Sequence, residues 1–287
     1  MKNYYIIIKS LDSAVKVSSS YANWIEELKN SEFLKRYIPC YEILDKYKKY
    51  GSELVLKHGK PKFTLKFPNA TYSNLKYDEK DAVSIVELLL ERLRQENGYY
   101  CMHSSSVTIR NSGVIIWGWA SGLGKTRLIL NLVKDFGAKF FSDEKTLIDL
   151  KNNLMMGGVR QADFSKNYFK NVHKSKKMLD STTNCKPTEL AFLVYPQVSE
   201  SKEIFIEKWS AEKLDWHLYE ELSRKIRATS RRLFNNELPV SPLDTPVLSK
   251  KRSVAIKSFV QHMPCYYICG TEKQISGKII ELVGKKT

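Results

Sequence analysis

The sequence lacks any uninterrupted apolar run of the length, about 20 residues, that a helix needs to cross a lipid bilayer. Its first residues, 1–13, place one basic side chain before a run of only five apolar ones. So short a run excludes the apolar core of a signal peptide. We therefore expect a cytoplasmic protein that has no membrane partner.

Cysteines are few, and none is arranged in a paired motif. The five cysteines include no Cys-x-x-Cys unit, which excludes a disulfide framework. Cys265 and Cys269 are close in sequence, but they lack the further ligands that a structural zinc ion takes. We expect these two side chains to pack in the core.

Acidic residues are fewer than basic ones: the sequence has 31 Asp and Glu and 47 Lys and Arg, which gives a net charge of +16. Such a charge attracts phosphates, acidic proteins and nucleic acids alike, so an acidic acceptor or a nucleic acid is an allowed partner. No zinc-finger, RNA-recognition or KH pattern accompanies the charge. Lysine-rich runs such as 46–49 and 174–177 are also typical of solvated surfaces, so charge alone does not decide the function.

The most informative segment is GVIIWGWASGLGKTRLILNL, at residues 113–132. Its β-branched run, 114–116, is typical of a buried strand, and the apolar residues after the glycines have helical spacing. A strand, a glycine-rich turn and a helix in this order favour a phosphate-binding loop, in which backbone N–H groups surround the phosphates. A chance GKT tripeptide in an ordinary turn is the alternative.

The residue types in this loop fit the binding of a nucleotide and Mg²⁺. Lys125 can reach the outer phosphate oxygens, and the Thr126 hydroxyl can hold the metal ion. The strict motif requires glycine where Trp119 stands, and the nearest glycine is Gly118, so the loop is one residue longer than the motif. The residues that we expect to contact the nucleotide are Ser121, Gly122, Leu123, Gly124, Lys125, Thr126 and Arg127.

Two acidic residues follow the next predicted strand, at 138–142. A strand that leaves the loop helix and returns beside the strand at 113–117 would bring Asp143 and Glu144 to the phosphate edge of the sheet. One carboxylate can hold Mg²⁺ together with Thr126, while the other takes the proton of an attacking hydroxyl. An exposed acidic turn is the alternative.

The first part of the chain, 1–78, is predicted to form a small α/β domain. The residue patterns predict a strand at 4–8, a helix at 20–28 and a hairpin made of residues 53–57 and 62–67. The breakers between the last two segments are typical of a hairpin loop.

After residue 78, Asp81 is predicted to cap a helix that runs to about Asn97. A strand at 99–109 is expected to pair with residues 113–117 through a tight turn. The polar, lysine-rich stretch 163–186 is the best candidate for a mobile loop or lid.

A long helix is predicted from Ser210, as its cap, to about Leu233, with a basic face. Such a face is typical of a solvated surface, and the alternatives are a nucleic-acid interface or an arginine that reaches the γ-phosphate. The basic residues of this predicted helix are Arg224, Lys225, Arg227, Arg231 and Arg232.

The order of His103, the phosphate loop and the FSDE sequence at 141–144 resembles the HPr kinase/phosphorylase family and its smaller relatives, the HPr-kinase-like serine kinases. Their fold is related to phosphoenolpyruvate carboxykinase. The resemblance implies a P-loop kinase domain at 79–287, an α/β fold with a mixed sheet and flanking helices. His103 would then lie near the transferred phosphate, with Asp143 as the base and Glu144 as a metal ligand. The implied catalytic residues are His103, Asp143 and Lys125, and the implied metal ligands are Thr126 and Glu144. Without the resemblance, a strand histidine such as His103 is more often a structural residue.

Three departures limit the resemblance. Trp119 lengthens the loop, and Arg127 stands where HPr kinases carry a glutamate. Their second signature, a glutamate followed by Arg-Gly, has no counterpart, and the nearest sequence is GGVR at 157–160. These departures count against HPr as the substrate and against phosphorylase activity, but they leave kinase chemistry intact.

The sequence thus favours an ATP- and Mg²⁺-dependent kinase that phosphorylates a hydroxyl group on a protein or peptide serine or on a small molecule. The alternative is a basic, nucleotide-responsive nucleic-acid-binding protein or an RNA-directed kinase, which the basic segments motivate. A carboxykinase is disfavoured because the chain is short for that family. A homo-oligomer is left open.

Overall fold

The computed structural model describes residues 2–46, 49–120, 122–159, 186–200, 203–227, 233 and 238–285. Several predictions lie wholly or in large part outside these residues. They concern Ser121, Arg160, the stretch 163–186 up to residue 185, Arg231 and Arg232.

The chain divides into two compact units. The first comprises Met1–Tyr100 and Leu222–Arg252, and the second comprises Cys101–Glu221 and Ser253–Thr287. The predicted domains, 1–78 and 79–287, divide the chain at a different place, and a domain boundary at residue 78 stays a prediction.

The first unit contains a mixed sheet and a long helix with two shorter ones before it. The strands are β1 (Tyr4–Ser10), β2 (Ser13–Ser19), β3 (Tyr41–Leu44), β4 (Ser52–His58), β5 (Lys62–Lys66) and β6 (Asn69–Asn74), and the helices are α1 (Ala22–Lys29), α2 (Glu32–Tyr37) and α3 (Glu79–Glu96). The strand order is β3-β1-β2-β4-β6-β5. The buried apolar faces of α1 and α3 pack on this sheet in one core, which includes Val17, Leu28, Leu54 and Leu89.

The predicted hairpin of residues 53–57 and 62–67 is wrong. Both strands exist, as β4 and β5, but β6 lies between them, parallel to β4 and antiparallel to β5. The sequence of β6 buries only Ala70 and Tyr72 among polar neighbours. So short an apolar alternation gives little signal for a strand.

The N-terminus of α3 also differs from the prediction. The cap is Asp78, whose carboxylate accepts the Asp81 backbone N–H at 2.9 Å. Asp81 lies in the first turn, is fully buried, and accepts the Tyr72 hydroxyl at 2.8 Å. Either aspartate fits the first turn of a helix by residue type, so the sequence alone does not select the cap.

The second unit contains most of a larger mixed sheet with flanking helices. Its strands are β7 (Tyr99–Met102, which begins in the first unit), β8 (Ser104–Ile109), β9 (Ser112–Trp117), β10 (Lys139–Ser142), β11 (Thr146–Asp149), β12 (Leu154–Gly158), β13 (Thr188–Val198), β14 (Phe205–Lys208) and β15 (Cys265–Gly270). The remaining helices are α4 (Lys125–Phe136), α5 (Ala211–Arg224, which ends in the first unit), α6 (Pro246–Val260, which begins in the first unit) and α7 (Glu272–Gly284). The strand order is β10-β8-β9-β13-β12-β11-β7, with β15 beside β13 and β14 beside β15.

Helices α4 and α7 pack on one face of this sheet. Alternate residues of β9, Val114 and Ile116, join Leu128 and Leu132 of α4 and Ile279 of α7 in one buried cluster. Because successive side chains of a strand point to opposite faces, Trp117 lies on the other face. The predicted strand, loop and helix at 113–132 are confirmed.

The strands around the loop differ from the prediction in two ways. The strand predicted at 99–109 is interrupted at His103, and the strand that follows α4 pairs with β8 instead of β9. The predicted pairing of β8 with β9 is confirmed, and both pairings are antiparallel. Strands β9 and β10 therefore run in the same direction, with β8 between them.

The basic helix is shorter than predicted. The Ser210 hydroxyl accepts the Lys213 backbone N–H at 3.2 Å, which confirms the cap, but α5 ends at Arg224. Helix α6 begins at Pro246, as proline at a first helical turn allows. None of the helices in the described ranges is both long and apolar enough to span a membrane.

Candidate functional site

One edge of the second sheet collects the residues predicted to form the site. Strand β9 ends at Trp117, before the loop, and β10 ends at Ser142, before Asp143. Strand β8 runs in the opposite direction and begins at Ser104, after His103. The ends of β9 and β10 and the beginning of β8, which lies between them, are therefore at one edge of the sheet. Ligands bind at such an edge in open α/β sheets.

The loop ends at Gly124, which is the N-cap of α4. Gly124 has a φ of 85°, in the left-handed region that side chains rarely adopt. A Cβ atom there would also lie 2.5 Å from Val198 Cγ2 of β13. Glycine therefore lets α4 begin against β13, with its first backbone N–H groups directed toward the loop, as phosphate binding requires.

Lys125, the first residue of α4, turns its side chain back onto the loop. Its ammonium donates to the carbonyl oxygens of Ala120, at 3.1 Å, and Gly118, at 3.4 Å. The side chain is largely buried, with 8% of Lys125 exposed. A phosphate would give this ammonium a charged acceptor, and charge-assisted hydrogen bonds are the stronger ones.

Thr126 and Asp143 are in direct contact. The Thr126 hydroxyl lies 3.2 Å from Asp143 Oδ1 and 3.0 Å from Oδ2. The hydroxyl of Ser105, in β8, also donates to Asp143 Oδ1. Asp143 is 1% exposed, and a buried carboxylate needs such donors to offset its lost hydration.

The turn that carries Asp143 rests on the end of β12. The Asp143 backbone N–H donates to Val159 O at 2.9 Å, and the Val159 N–H donates to Lys145 O at 3.0 Å. A Cβ atom at Gly158 would lie 2.4 Å from Lys145 O, a backbone atom that cannot move aside cheaply. Gly158, part of the GGVR sequence, thus allows the backbone to support the Asp143 turn.

Glu144 faces a different neighbour. The Glu144 side chain is 40% exposed, and its Oε2 lies 3.6 Å from His103 Nδ1. The Glu144 carbonyl oxygen lies 3.1 Å from the same ring nitrogen.

The His103 backbone N–H donates to Glu221 Oε1 at 2.7 Å, outside the strand ladder. This contact accounts for the interruption between β7 and β8, and it fixes His103 beside Glu144.

The edge therefore brings together His103, Lys125, Thr126, Asp143 and Glu144. Gly122, Leu123 and Gly124 lie in the loop, as predicted. Arg127 forms an ion pair with Glu272 of α7, and its contact with a nucleotide stays a prediction.

The site can be compared with the ligands that Mg²⁺ takes when it is bound to a nucleotide. Within the described residues, no group of three or more His, Cys, Asp and Glu is placed to hold a metal ion. Mg²⁺ at a nucleotide takes one or two protein ligands, while phosphates and water supply the rest. The adjacent Thr126 hydroxyl and Asp143 carboxylate meet that need.

Cys265 and Cys269 differ in their surroundings. Cys265 is 1% exposed, and burial raises the pKa of its thiol to about 12. Cys269 is partly buried, with its Sγ 3.7 Å from Ser199 Oγ. The expected core packing is confirmed for Cys265.

Two polar residues of the site were missed from the sequence, namely Ser105 and Glu221. Ser105 lies in a run of three buried serines, 104–106, and three hydroxyls in succession within a buried strand were a usable signal. Glu221 is separated from His103 by 118 residues, and no pattern in the sequence connects the two.

No family model and no curated protein sequence matches the chain. Among solved structures, the chain is similar to the Hpr(Ser) kinase/phosphatase from Coxiella burnetii. The two are 14% identical, the match covers 65% of this chain and 95% of that chain, and the TM-score is 0.28. The likeness is distant, and so low a TM-score supports no conclusion about the activity of this chain.

Proposed function

We propose that this chain is an ATP-dependent phosphotransferase that moves the γ-phosphoryl group to a hydroxyl acceptor. The observation that carries the proposal is the contact of Thr126 with Asp143 beside the Lys125 ammonium, at the N-terminus of α4. To bind an anion alone, the loop would need only its backbone amides and Lys125. The added pair of hydroxyl and carboxylate is the donor set for a magnesium-bound nucleotide.

The residues of the loop bind and orient the phosphates. Backbone N–H groups at the start of α4 and the partial positive charge of the helix N-terminus attract the phosphate oxygens. The Lys125 ammonium leaves its loop carbonyls and contacts the outer phosphates. Mg²⁺, when bound, neutralises charge on the phosphate oxygens. Thr126 and Asp143 are the residues that would hold it.

The contacts support a different division of roles from the one that the resemblance implies. Asp143 is buried and engaged with Thr126 and Ser105, which suits a metal ligand. Glu144 is partly exposed beside His103, so an acceptor hydroxyl can approach it. We therefore assign metal binding to Asp143 and proton removal from the acceptor to Glu144, oriented by His103.

The acceptor can be sought directly. The purified protein is incubated with γ-labelled ATP, Mg²⁺ and a fractionated cell extract, and the products are resolved into proteins, nucleic acids and small molecules. The proposal expects label in one of these classes with the wild type and none with Lys125→Met. If the label stays in ATP or appears only as inorganic phosphate, the chain is not a phosphotransferase.

Nucleic-acid binding is the less supported function. In the first unit, Lys225 lies 3.5 Å from Glu87, and Arg227 lies 3.7 Å from Asp244. Two of the basic residues in the predicted nucleic-acid surface are therefore neutralised within the chain. An RNA hydroxyl remains an acceptor class that the labelling experiment resolves. A homo-oligomer and an acidic acceptor also stay predictions.

A further inference from the structure

The extra residue of the loop, Trp119, belongs to an aromatic cluster. Its ring centroid lies 4.8 Å from that of His217 and 5.5 Å from that of Trp216, both in α5. His217 in turn stacks on Trp209, at 4.5 Å and an interplanar angle of 21°. Aromatic rings of α5 thus extend directly from the phosphate loop.

The outermost ring of this cluster faces solvent. Trp216 is 59% exposed, the largest exposed fraction of any Phe, Trp or Tyr in the described part of the chain. Trp209, by contrast, is 7% exposed and supports His217 from below. The cluster therefore has a buried base and an open edge next to the loop.

The cluster also holds ring nitrogens that lack hydrogen-bond partners among the described residues. They are buried and comprise Trp119 Nε1, Trp209 Nε1 and His217 Nδ1. Buried polar atoms in native proteins are nearly always paired, so such a group of unpaired ring nitrogens is unusual for a purely structural core.

We propose that Trp216, whose ring packs against Trp119 at an interplanar angle of 59°, is the stacking surface for the base of the nucleotide whose phosphates the loop binds. This inference rests on the proposed function. Trp119 is in the same loop as the glycines, and the base is joined covalently to the phosphates, so the Trp216 indole beside Trp119 is a surface that the base can reach. Stacking on aromatic rings tolerates any base, because every base has a π-face. The lengthened loop thus supports the ring on which the base stacks.

The test compares ATP with inorganic tripolyphosphate, which has the phosphates but no base. Binding of each ligand, with Mg²⁺, is measured by calorimetry for the wild type, Trp216→Ala and Trp216→Tyr. Trp216→Ala is expected to weaken ATP binding about tenfold, or about 1.4 kcal/mol, while tripolyphosphate binding is unchanged. Trp216→Tyr should retain most of the ATP affinity, because it keeps an aromatic face.

Phe205→Ala is the matched control. Phe205 is 56% exposed in the same unit, but its ring contacts Tyr267 instead of the loop. Phe205→Ala should leave the affinities for ATP and tripolyphosphate unchanged. Thermal unfolding of each variant checks that the fold is kept.

The outcomes separate the two proposals. If Trp216→Ala binds ATP as the wild type does, or loses both ligands equally, the stacking surface is wrong, although phosphate binding by the loop stands. If the wild type binds neither ATP nor tripolyphosphate, the proposed function fails, and the base contact fails with it.

Discussion

The Thr126 hydroxyl donates to the Asp143 carboxylate at 3.0 Å across a separation of 17 residues. This contact joins the first turn of α4 to the turn after β10, at the edge of the sheet where the loop lies. It requires α4 to begin directly after Gly124, its N-cap, and the Asp143 backbone to be held by Val159. A substitution at Gly124 or Val159 should therefore displace Thr126 or Asp143, the proposed metal-binding pair, although neither of those two residues is itself changed.

Removal of the Thr126 hydroxyl is the most direct test of the metal-binding pair. Thr126→Val keeps the shape of the side chain, and we expect phosphoryl transfer to fall by about 100-fold or more, as for the loss of one preorganised polar group. The increase of ATP affinity with added Mg²⁺ should also disappear. Thr126→Ser restores the hydroxyl and should recover both. A Thr126→Val protein whose transfer rate and Mg²⁺ response match the wild type would contradict the assignment.

Asp143→Asn and Glu144→Gln together separate the metal ligand from the base. If Asp143 holds Mg²⁺, Asp143→Asn should lose transfer and the Mg²⁺ dependence of ATP binding. Glu144→Gln should lose transfer by about 100-fold, within the range for general bases, while its Mg²⁺-dependent ATP binding stays normal. Calorimetry with and without Mg²⁺, beside a transfer assay, measures both effects. The reverse pattern would restore the roles that the family resemblance implied.

Two glycines of the loop give a matched pair of substitutions. Gly124 and Gly122 have φ values of 85° and 88°, and only at Gly124 does a Cβ atom meet a neighbour, Val198. Gly122→Ala should lower the free energy of unfolding by about 1–2 kcal/mol, the cost of a left-handed alanine. Gly124→Ala should cost about 1–3 kcal/mol more because of the overlap.

The overlap can be relieved from the other side. Val198→Ala, introduced into Gly124→Ala, should recover part of the added loss, and urea unfolding of the two single variants and the double variant measures the coupling. If Gly124→Ala is no less stable than Gly122→Ala, the close approach of α4 to Val198 is not a constraint on the loop.

Local features of the site could be predicted from the sequence, whereas strand order could not. The β-branched run, the glycines and the apolar spacing after Lys125 are contiguous, so they specify β9, the loop and α4. The insertion of β6 between β4 and β5, and of β8 between β9 and β10, depends on pairings of strands distant in sequence. Local periodicity carries no information about such order.

The same limit applies to the side chains around the acids. Asp143 and Glu144 are adjacent in sequence, and their residue types fit either role. Their different surroundings arise because Glu144 adopts a φ of 64°, which turns the chain after Asp143. Ser105 then contacts Asp143, and His103 contacts Glu144. The turn therefore places the two carboxylates in different surroundings, one buried and one partly exposed.

His217 should make stability depend on pH. Burial among the aromatic rings, and to a lesser extent the nearby Lys213 charge, lowers the pKa of His217 from its ordinary value of 6.5. As the pH falls through that value, the unfolded chain takes up a proton before the folded one does, so the free energy of unfolding decreases until the lowered pKa is reached.

His217→Gln removes this contribution, and urea unfolding between about pH 7.5 and 5 should show a smaller decrease for the variant than for the wild type. Equal pH dependence in His217→Gln and the wild type would show that the imidazole is protonated as readily in the folded cluster as in the unfolded chain.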